Sequence, residues 1–213
     1  MQFHIPQYLH RGDNDFKGVR KLRDTINGYQ LLTNLLNGGD GRQIKEKPLI
    51  DLIDRHVSTN WSTTHFLSFS ENERTSLRFG LHCEIEEVDN LFIEYGEYGG
   101  CENNWDFAIV SIDTGKINWT RIDKGVYKGI YPSNRISNTL KNEVILLDVR
   151  QILKKYTEYE KSKINSERDE EWLILPFNKF QSKENELSAI FDISDILLHV
   201  TKYKKGYSES IFL

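Results

Sequence analysis

A carboxylate stands at the head of an apolar run towards the end of the chain. Residues 168–176 read RDEEWLILP, a pattern that predicts a short buried strand ended by Pro176. If the extended conformation begins at Asp169, then Asp169 and Glu171 project from the same face of this strand. A carboxylate in such a place can stabilise a developing positive charge where water is excluded. The alternative interpretation is a solvated acidic cluster that guards an aggregation-prone strand.

A second candidate segment carries two hydroxyl groups. Residues 66–70 read FLSFS, and because strand side chains alternate, Ser68 and Ser70 share one face. That face can line a cleft. The alternative is an edge strand with its polar side in water, in which Ser70 acts only as a helix cap. Ser70 and Glu73 have the spacing of a capping box, which predicts a helix over residues 71–80.

A third candidate is the pair Arg11 and Gly12, which follows a predicted first strand over residues 8–10. An arginine there can hold a diphosphate bidentately, because its planar fork matches two phosphate oxygens. An arginine beside a glycine is also common at surface turns, so the pair alone has little specificity. Strand alternation points His10 away from Arg11, and therefore only one of these two side chains can face a cleft.

The order of the three segments resembles the ADP-ribosyltransferase superfamily. The similarity is to its arginine, serine, glutamate branch, which includes cholera-toxin-like and clostridial binary-toxin-like enzymes, and it is carried by residues 8–12, 65–80 and 169–176. It implies an enzyme that cleaves NAD+ as its substrate and transfers ADP-ribose to a macromolecular acceptor. It also implies an α+β fold with a split mixed or antiparallel β-sandwich core and N-terminal helices.

The resemblance assigns a role to each segment. Glu171 is expected to stabilise the oxocarbenium-like centre, Ser68 to hold that carboxylate and the ribose in register, and Asp169 to orient or deprotonate the acceptor. Arg11 is expected to fix the phosphates, unless His10 serves in the site, as a histidine does in the family's histidine, tyrosine, glutamate branch. The residues implied in binding the nucleotide are Arg11, Gly12, His10, Ser68, Phe69 and Ser70.

Two departures from the family pattern bear on the acceptor. Phe69 replaces the usual middle threonine of the serine strand. Asp169 occupies the position two residues before the glutamate, where the family has a glutamate, glutamine or other residue whose identity tends to correlate with the acceptor. The expected acceptor is a protein side chain. One alternative is a base in RNA or DNA, modified by a toxin-antitoxin or phage-defence effector that has an antitoxin or immunity protein as its partner. A second alternative is a non-catalytic module that binds a nucleotide or a partner.

Helices are predicted in the first part of the chain and again after its middle. Apolar residues at helical spacing predict a helix over residues 16–36, which Gly28 can divide in two, and further helices over 48–56 and 152–159. Residues 161–168 are mostly polar. They are predicted to form a loop that meets the target.

Strands are predicted mainly in the later part. Residues 64–70 and 172–175 form strands around the candidate site, and 107–112 and 144–149 are β-rich runs typical of central strands. Residues 177–213 are predicted to add one or two strands or a small helix. Helices early and strands later indicate an α+β class.

The bulk composition limits the classes of function. The chain has 213 residues, with 28 Lys and Arg against 32 Asp and Glu and a formal charge of -4, so no basic run supplies the footprint of a duplex-binding module. Cys83 and Cys101 are too few for a disulfide framework and lack the spacing of a zinc site, and whether they pair stays open. No apolar segment suits a signal peptide or a bilayer span, so we expect a cytoplasmic protein without a membrane partner. The chain length suits one domain over residues 1–213. We expect no bound metal.

Overall fold

The computed structural model describes residues 4–14, 23–25, 28–34, 49–58, 66–81, 107–132, 142–156, 158–176, 178–181, 187–204 and 207–212. Its strands, numbered in chain order, are β1 Tyr8–Asn14, β2 Arg23–Thr25, β3 Gly28–Asn34, β4 Leu67–Ser70, β5 Phe107–Asp113, β6 Asn118–Asp123, β7 Val126–Ile130, β8 Glu143–Asp148, β9 Glu171–Pro176, β10 Asn178–Gln181, β11 Leu187–Asp192, β12 Leu197–Lys204 and β13 Tyr207–Phe212. Its α-helices are α1 Leu49–Ser58, α2 Glu73–Leu81, α3 Val149–Leu153 and α4 Glu160–Arg168. Cys83 and Cys101 lie outside the described residues.

Two sheets contain these strands. The larger sheet has the order β13-β12-β5-β1-β4-β9-β8-β7-β6, and the smaller has the order β10-β11-β3-β2. Every strand pairing among the described residues is antiparallel. The predicted α+β class is therefore confirmed.

The larger sheet is joined at its middle by one residue pair. β1 pairs with β5 along all 7 of its residues. In contrast, β1 meets β4 only where His10 lies opposite Ser70. Two half-sheets, β13-β12-β5-β1 and β4-β9-β8-β7-β6, therefore meet at this pair. Backbone groups on the facing edges of β1 and β4 must find other partners away from it.

Hydrophobic clusters cover both faces of the half-sheet that begins at β4. One cluster includes Tyr127 and Trp172, whereas Leu147 and Leu173 join a second cluster with residues of α1 and α3. The neighbours Trp172 and Leu173 enter different clusters because alternate side chains of a strand point to opposite faces. Glu171 therefore shares the helix-covered face with Leu173.

Several predicted elements are confirmed. Helix α1 matches the helix predicted over residues 48–56, and β9 matches the strand predicted over 172–175. The runs at 107–112 and 144–149 form β5 and β8, which are interior strands of the larger sheet. Strand β4 confirms the end of the strand predicted over 64–70.

The helix predicted over residues 16–36 is wrong where the structure describes this part of the chain. Strands β2 and β3 occupy residues 23–25 and 28–34. Strand β3 pairs with β11, and Leu31 lies opposite Phe191, which is fully buried. A strand partner distant in sequence thus overrides the helical spacing of the apolar residues.

The polar segment predicted as a loop over residues 161–168 is helix α4. Ser162 Oγ donates a hydrogen bond to Asp54 Oδ1 at 2.5 Å, and Asn165 Nδ2 donates to the Val57 carbonyl at 3.0 Å. Both acceptors belong to α1. Because α4 buries polar side chains against its neighbour, the apolar spacing that normally marks a packed helix is absent.

Two further predictions for the later part of the chain are wrong. Helix α3 ends at Leu153, so the helix predicted over residues 152–159 is not formed. The described residues of the segment 177–213 form four strands, β10 to β13, where one or two strands or a small helix were predicted. No helix among the described residues combines the length and the apolar character needed to cross a membrane.

Candidate active site

A row of polar side chains crosses the junction between the two half-sheets. In register across β12, β5, β1, β4 and β9, its members are His199, Ser111, His10, Ser70 and Glu171. Residues in register on neighbouring strands share a face of the sheet. With strands about 4.8 Å apart, roughly 10 Å separates the backbone of His10 from that of Glu171. Three predicted site residues thus lie on the same face, at the point where the sheet is least continuous.

Glu171 is the first residue of β9, and it is only 5% exposed. Burial raises the pKa of Glu171 from its usual 4.5 to about 7, and a hydrogen bond from the Ser68 hydroxyl partly opposes this rise in pKa. Ser68 is two residues from Ser70 on β4, so the two serines share the face that Glu171 occupies. The Glu171 carboxyl group therefore changes its charge near neutral pH, in contact with Ser68.

His56 of α1 completes this contact, although it was not predicted as a site residue. Its Nε2 lies 2.7 Å from Ser68 Oγ and 4.0 Å from Glu171 Oε1. Burial, aided by the nearby charge of Arg11, lowers the pKa of His56 to about 3. The imidazole is therefore neutral at physiological pH. Its position four residues after Leu52, on the buried face of α1, is the one signal for it in the sequence.

The ionised form of Glu171 fixes the direction of the hydrogen bonds around Ser68. An ionised Glu171 carboxylate only accepts, so the Ser68 O–H donates to Glu171. The Ser68 oxygen is then free to accept from His56, which requires the tautomer that carries its proton on Nε2. The result is a chain of hydrogen bonds from His56 through Ser68 to Glu171.

Arg11 approaches the same serine from β1. Its guanidinium NH1 donates to the carbonyl oxygen of Ser68 at 3.0 Å, beyond the single pair that joins β1 to β4. The charge of Arg11 also lowers the pKa of His56, second to burial. Ser68 is thus the residue around which Arg11, His56 and Glu171 converge.

His10 has different partners from Arg11, as the alternation of β1 requires. Its Nδ1 lies 2.7 Å from Ser111 Oγ, and the same hydroxyl lies 3.1 Å from His199 Nε2. Burial lowers the pKa of His10. His10 thus lies in register with Ser70 and Glu171 but is hydrogen-bonded towards β5 and β12, whereas Arg11 reaches the Ser68 carbonyl.

Gly12 makes room for helix α2. A Cβ atom at residue 12 would lie 2.1 Å from the Ser76 carbonyl oxygen and 2.8 Å from the Gly80 nitrogen. No side chain fits in this space without moving the helix backbone. The glycine thus lets α2 pack directly on β1.

Ser70 connects β4 to the turn that precedes Glu171. Its Oγ donates to the Asp169 carbonyl at 2.8 Å and accepts from the Asn72 backbone N–H at 3.0 Å. The capping box predicted for Ser70 and Glu73 is wrong, because α2 begins at Glu73 and Asn72 Oδ1 accepts from the Arg74 backbone N–H at 2.9 Å. Ser70 therefore ties two backbone segments together.

Asp169 is not part of β9, so the prediction that the extended conformation begins there is wrong. It caps the end of α4 in a helical conformation, and Glu170 has a φ of 47°, which turns the chain before the strand starts. Asp169 is 4% exposed. Its Oδ1 lies 2.7 Å from NH2 of Arg78 and 2.8 Å from Nε of Arg168. Its carboxylate is thus paired with two arginines.

Phe69 points away from this group of residues. It lies opposite Trp172 in the ladder between β4 and β9 and is 2% exposed. Both aromatic residues belong to the hydrophobic cluster on the other face of the sheet. The structure therefore separates Phe69 from the other residues predicted to bind the nucleotide.

The arrangement can stabilise a cation and hold an anion. Among the residues that the structure describes, no group of three His, Cys, Asp or Glu side chains is placed to hold a metal ion. No protein-family model matches the sequence, and a search of curated proteins finds no significant match.

Proposed function

We propose that the chain is an NAD+-dependent mono-ADP-ribosyltransferase that transfers ADP-ribose to a macromolecular acceptor, in the first place a protein side chain. The observation that carries the proposal is the buried Glu171 carboxylate, hydrogen-bonded to Ser68, beside an arginine whose guanidinium reaches the same serine at 3.0 Å. An isolated buried carboxylate is unfavourable for folding. A buried carboxylate with a strongly raised pKa among polar side chains is typical of a functional site.

The reaction needs a fixed negative charge and little else. The bond between nicotinamide nitrogen and ribose C1′ breaks, nicotinamide leaves as a neutral molecule with the bonding pair, and C1′ becomes oxocarbenium-like. Glu171 stabilises that centre and accepts a hydrogen bond from a ribose hydroxyl. A nucleophilic atom of the acceptor then bonds to C1′ and gives up its proton. Since no acid has to protonate the leaving group, a neutral His56 is compatible with this scheme.

The charged side chains beside Glu171 and Ser68 suit a dinucleotide. Arg78 and Arg168 lower the pKa of Glu171, although burial, the Ser68 hydrogen bond and Asp169 each have a larger effect on it. Arg11 lies beside Ser68. Arg78 and Arg168 are paired with Asp169, so Arg11 is the guanidinium offered to a ligand. Its positive charge favours a diphosphate, whose oxygens match the fork of an arginine.

The fold supports the same proposal. Two antiparallel half-sheets that meet at one residue pair agree with the split β-sandwich of the ADP-ribosyltransferases, and the catalytic glutamate would stand at the head of β9 beside the junction.

Release of nicotinamide from NAD+ by the purified chain tests the proposal. We expect a measurable rate for the parent and a loss of about 10² to 10³ in kcat for Glu171→Gln, because one preorganised charge is removed. Glu170→Gln is the matched control, since it removes the adjacent carboxylate, which lies outside β9. Absence of nicotinamide release from the parent, or equal rates for the parent and Glu171→Gln, overturns the proposal.

The acceptor is identified by labelling a cell lysate with NAD+ that carries the label in its adenosine half. Treating the labelled product separately with protease and with nuclease distinguishes the two classes of macromolecule. Label released by protease supports a protein acceptor. Label released only by nuclease replaces it with RNA or DNA. Nucleotide binding without any nicotinamide release would instead indicate a non-catalytic module.

A further inference from the structure

A buried ion pair connects helix α2 to the turn before Glu171. Arg78 of α2 and Asp169 are 8% and 4% exposed, and Arg78 NH2 lies 2.7 Å from Asp169 Oδ1. Nothing in the transfer reaction requires Asp169 to be buried among arginines. A carboxylate that recognises or deprotonates an acceptor needs an oxygen free to reach it, and this one is paired with Arg78 and Arg168.

Asp169 holds the turn through both its side chain and its backbone carbonyl. The Asp169 side chain is held by Arg78, and the Asp169 carbonyl accepts from Ser70 Oγ at 2.8 Å. The following residue, Glu170, has a φ of 47°, a conformation that is unfavourable for a residue with a side chain. Such a conformation persists when its surroundings determine it. One residue later, the chain enters β9 with Glu171 directed towards Ser68 and His56.

We infer that Arg78 and Asp169 are a positioning pair, which fixes the turn that aims Glu171 at the ribose and takes no part in contacting the acceptor. The inference rests on the proposed function for its catalytic meaning. It reassigns Asp169 from the acceptor side of the site to the support of the catalytic carboxylate. It also adds Arg78, which no sequence pattern had marked.

The pair also sets the charge environment of Glu171 from two sides. Asp169 raises the pKa of Glu171 and Arg78 lowers it, both after burial and the Ser68 hydrogen bond. Three other groups lie near Glu171: Arg168 on α4, which lowers its pKa, the neutral His56 on α1, and Arg11 on β1, which reaches Ser68. Removing one partner alone therefore leaves the other partner's effect uncompensated. The two single variants should move the pKa of Glu171 in opposite directions.

A carbon-13 NMR titration of the Glu171 carboxyl group, assigned by comparison with Glu171→Gln, tests the inference without NAD+. We expect Arg78→Met to raise the pKa of Glu171 and Asp169→Asn to lower it. Arg78→Lys keeps the cation and should titrate close to the parent. The matched control is Arg121→Met on β6, an exposed arginine whose loss should leave the titration unchanged.

The double variant Arg78→Met/Asp169→Asn leaves neither partner of the pair charged and unpaired. It is therefore the variant to test if a single variant does not fold. Its Glu171 pKa should stay near the parent value, because two opposite effects are removed together. Loss of the tether should nevertheless slow nicotinamide release by about tenfold or more, with KM for NAD+ little changed.

Three outcomes overturn the inference: single variants that shift the pKa in the same direction, a double variant displaced as far as a single one, or a double variant with the parent kcat. If the parent releases no nicotinamide, the proposed function fails. The titrations still decide whether the pair controls Glu171.

Discussion

Nε2 of His56 lies 4.0 Å from Oε1 of Glu171, and the Ser68 hydroxyl is hydrogen-bonded to both side chains. Burial moves their pKa values in opposite directions, to about 3 for His56 and about 7 for Glu171. Each shift favours the neutral form of the group. Between pH 4 and pH 9, Glu171 is therefore the one member of this contact whose charge changes.

The raised pKa of Glu171 predicts that the protein is less stable at alkaline pH than it would be without this group. The folded pKa of about 7 exceeds the unfolded 4.5, so the protonated form favours folding. That contribution is complete below pH 4.5 and is lost as the pH rises through 7. The difference corresponds to about 3 kcal/mol of unfolding free energy. Glu171→Gln, which stays neutral, should therefore exceed the parent in stability at pH 8.5.

Urea denaturation at pH 4.5 and pH 8.5 measures this effect. The advantage of Glu171→Gln should shrink towards zero at the lower pH, and Glu170→Gln, which replaces the neighbouring carboxylate, is the matched control. An advantage of the same size at both pH values would show that Glu171 titrates normally in the folded protein.

The lowered pKa of His56 predicts the shape of the pH–rate profile. Because the imidazole is neutral down to a pKa of about 3, kcat for nicotinamide release should rise only once between pH 5 and pH 9, near pH 7, as Glu171 ionises. His56→Leu removes the donor to Ser68 and should lower kcat by about tenfold or more. His56→Gln can place an amide nitrogen near the same position and should be less impaired. An additional limb near pH 6.5 that disappears in His56→Gln would contradict a neutral histidine.

The two serines of β4 should fail in different ways when they are replaced by alanine. Ser68→Ala removes the hydroxyl that contacts the buried Glu171 and His56, so stability should fall and kcat should fall further than it does in Ser70→Ala. Ser70→Ala leaves the Asp169 carbonyl and the Asn72 N–H without their partner. Unmet buried polar groups cost about 1 to 3 kcal/mol. Calorimetry and nicotinamide release on both variants check the division, and the reverse pattern would refute it.

Gly12→Ala should loosen the contact between β1 and α2. Its Cβ would lie 2.1 Å from the Ser76 carbonyl oxygen, so the α2 backbone must move, at a cost of about 1 to 3 kcal/mol or more. Because α2 carries Arg78, nicotinamide release should fall as well. Gly115→Ala is the matched control, since its nearest neighbour is a side-chain oxygen of Asp113 at 3.0 Å. Equal melting temperatures for both variants would contradict this packing.

The sequence by itself determined the features that depend on neighbouring residues. Alternation along β4 puts Ser68 and Ser70 on one face, and the apolar run that follows Glu171 makes β9 a buried strand. Helix α1 follows from its apolar spacing in the same way. These features need no distant partner, because the geometry of a strand or a helix repeats every few residues.

The tertiary structure alone decided which distant groups meet. Residues 28–34 form a strand because β11 lies beside them, and α4 packs through hydrogen bonds that leave no apolar pattern. His56 joins Ser68, and Asp169 turns to Arg78, only once α1 and α2 lie on the sheet. Such contacts depend on how whole elements pack together, and the spacing of residues within one element carries no record of that packing.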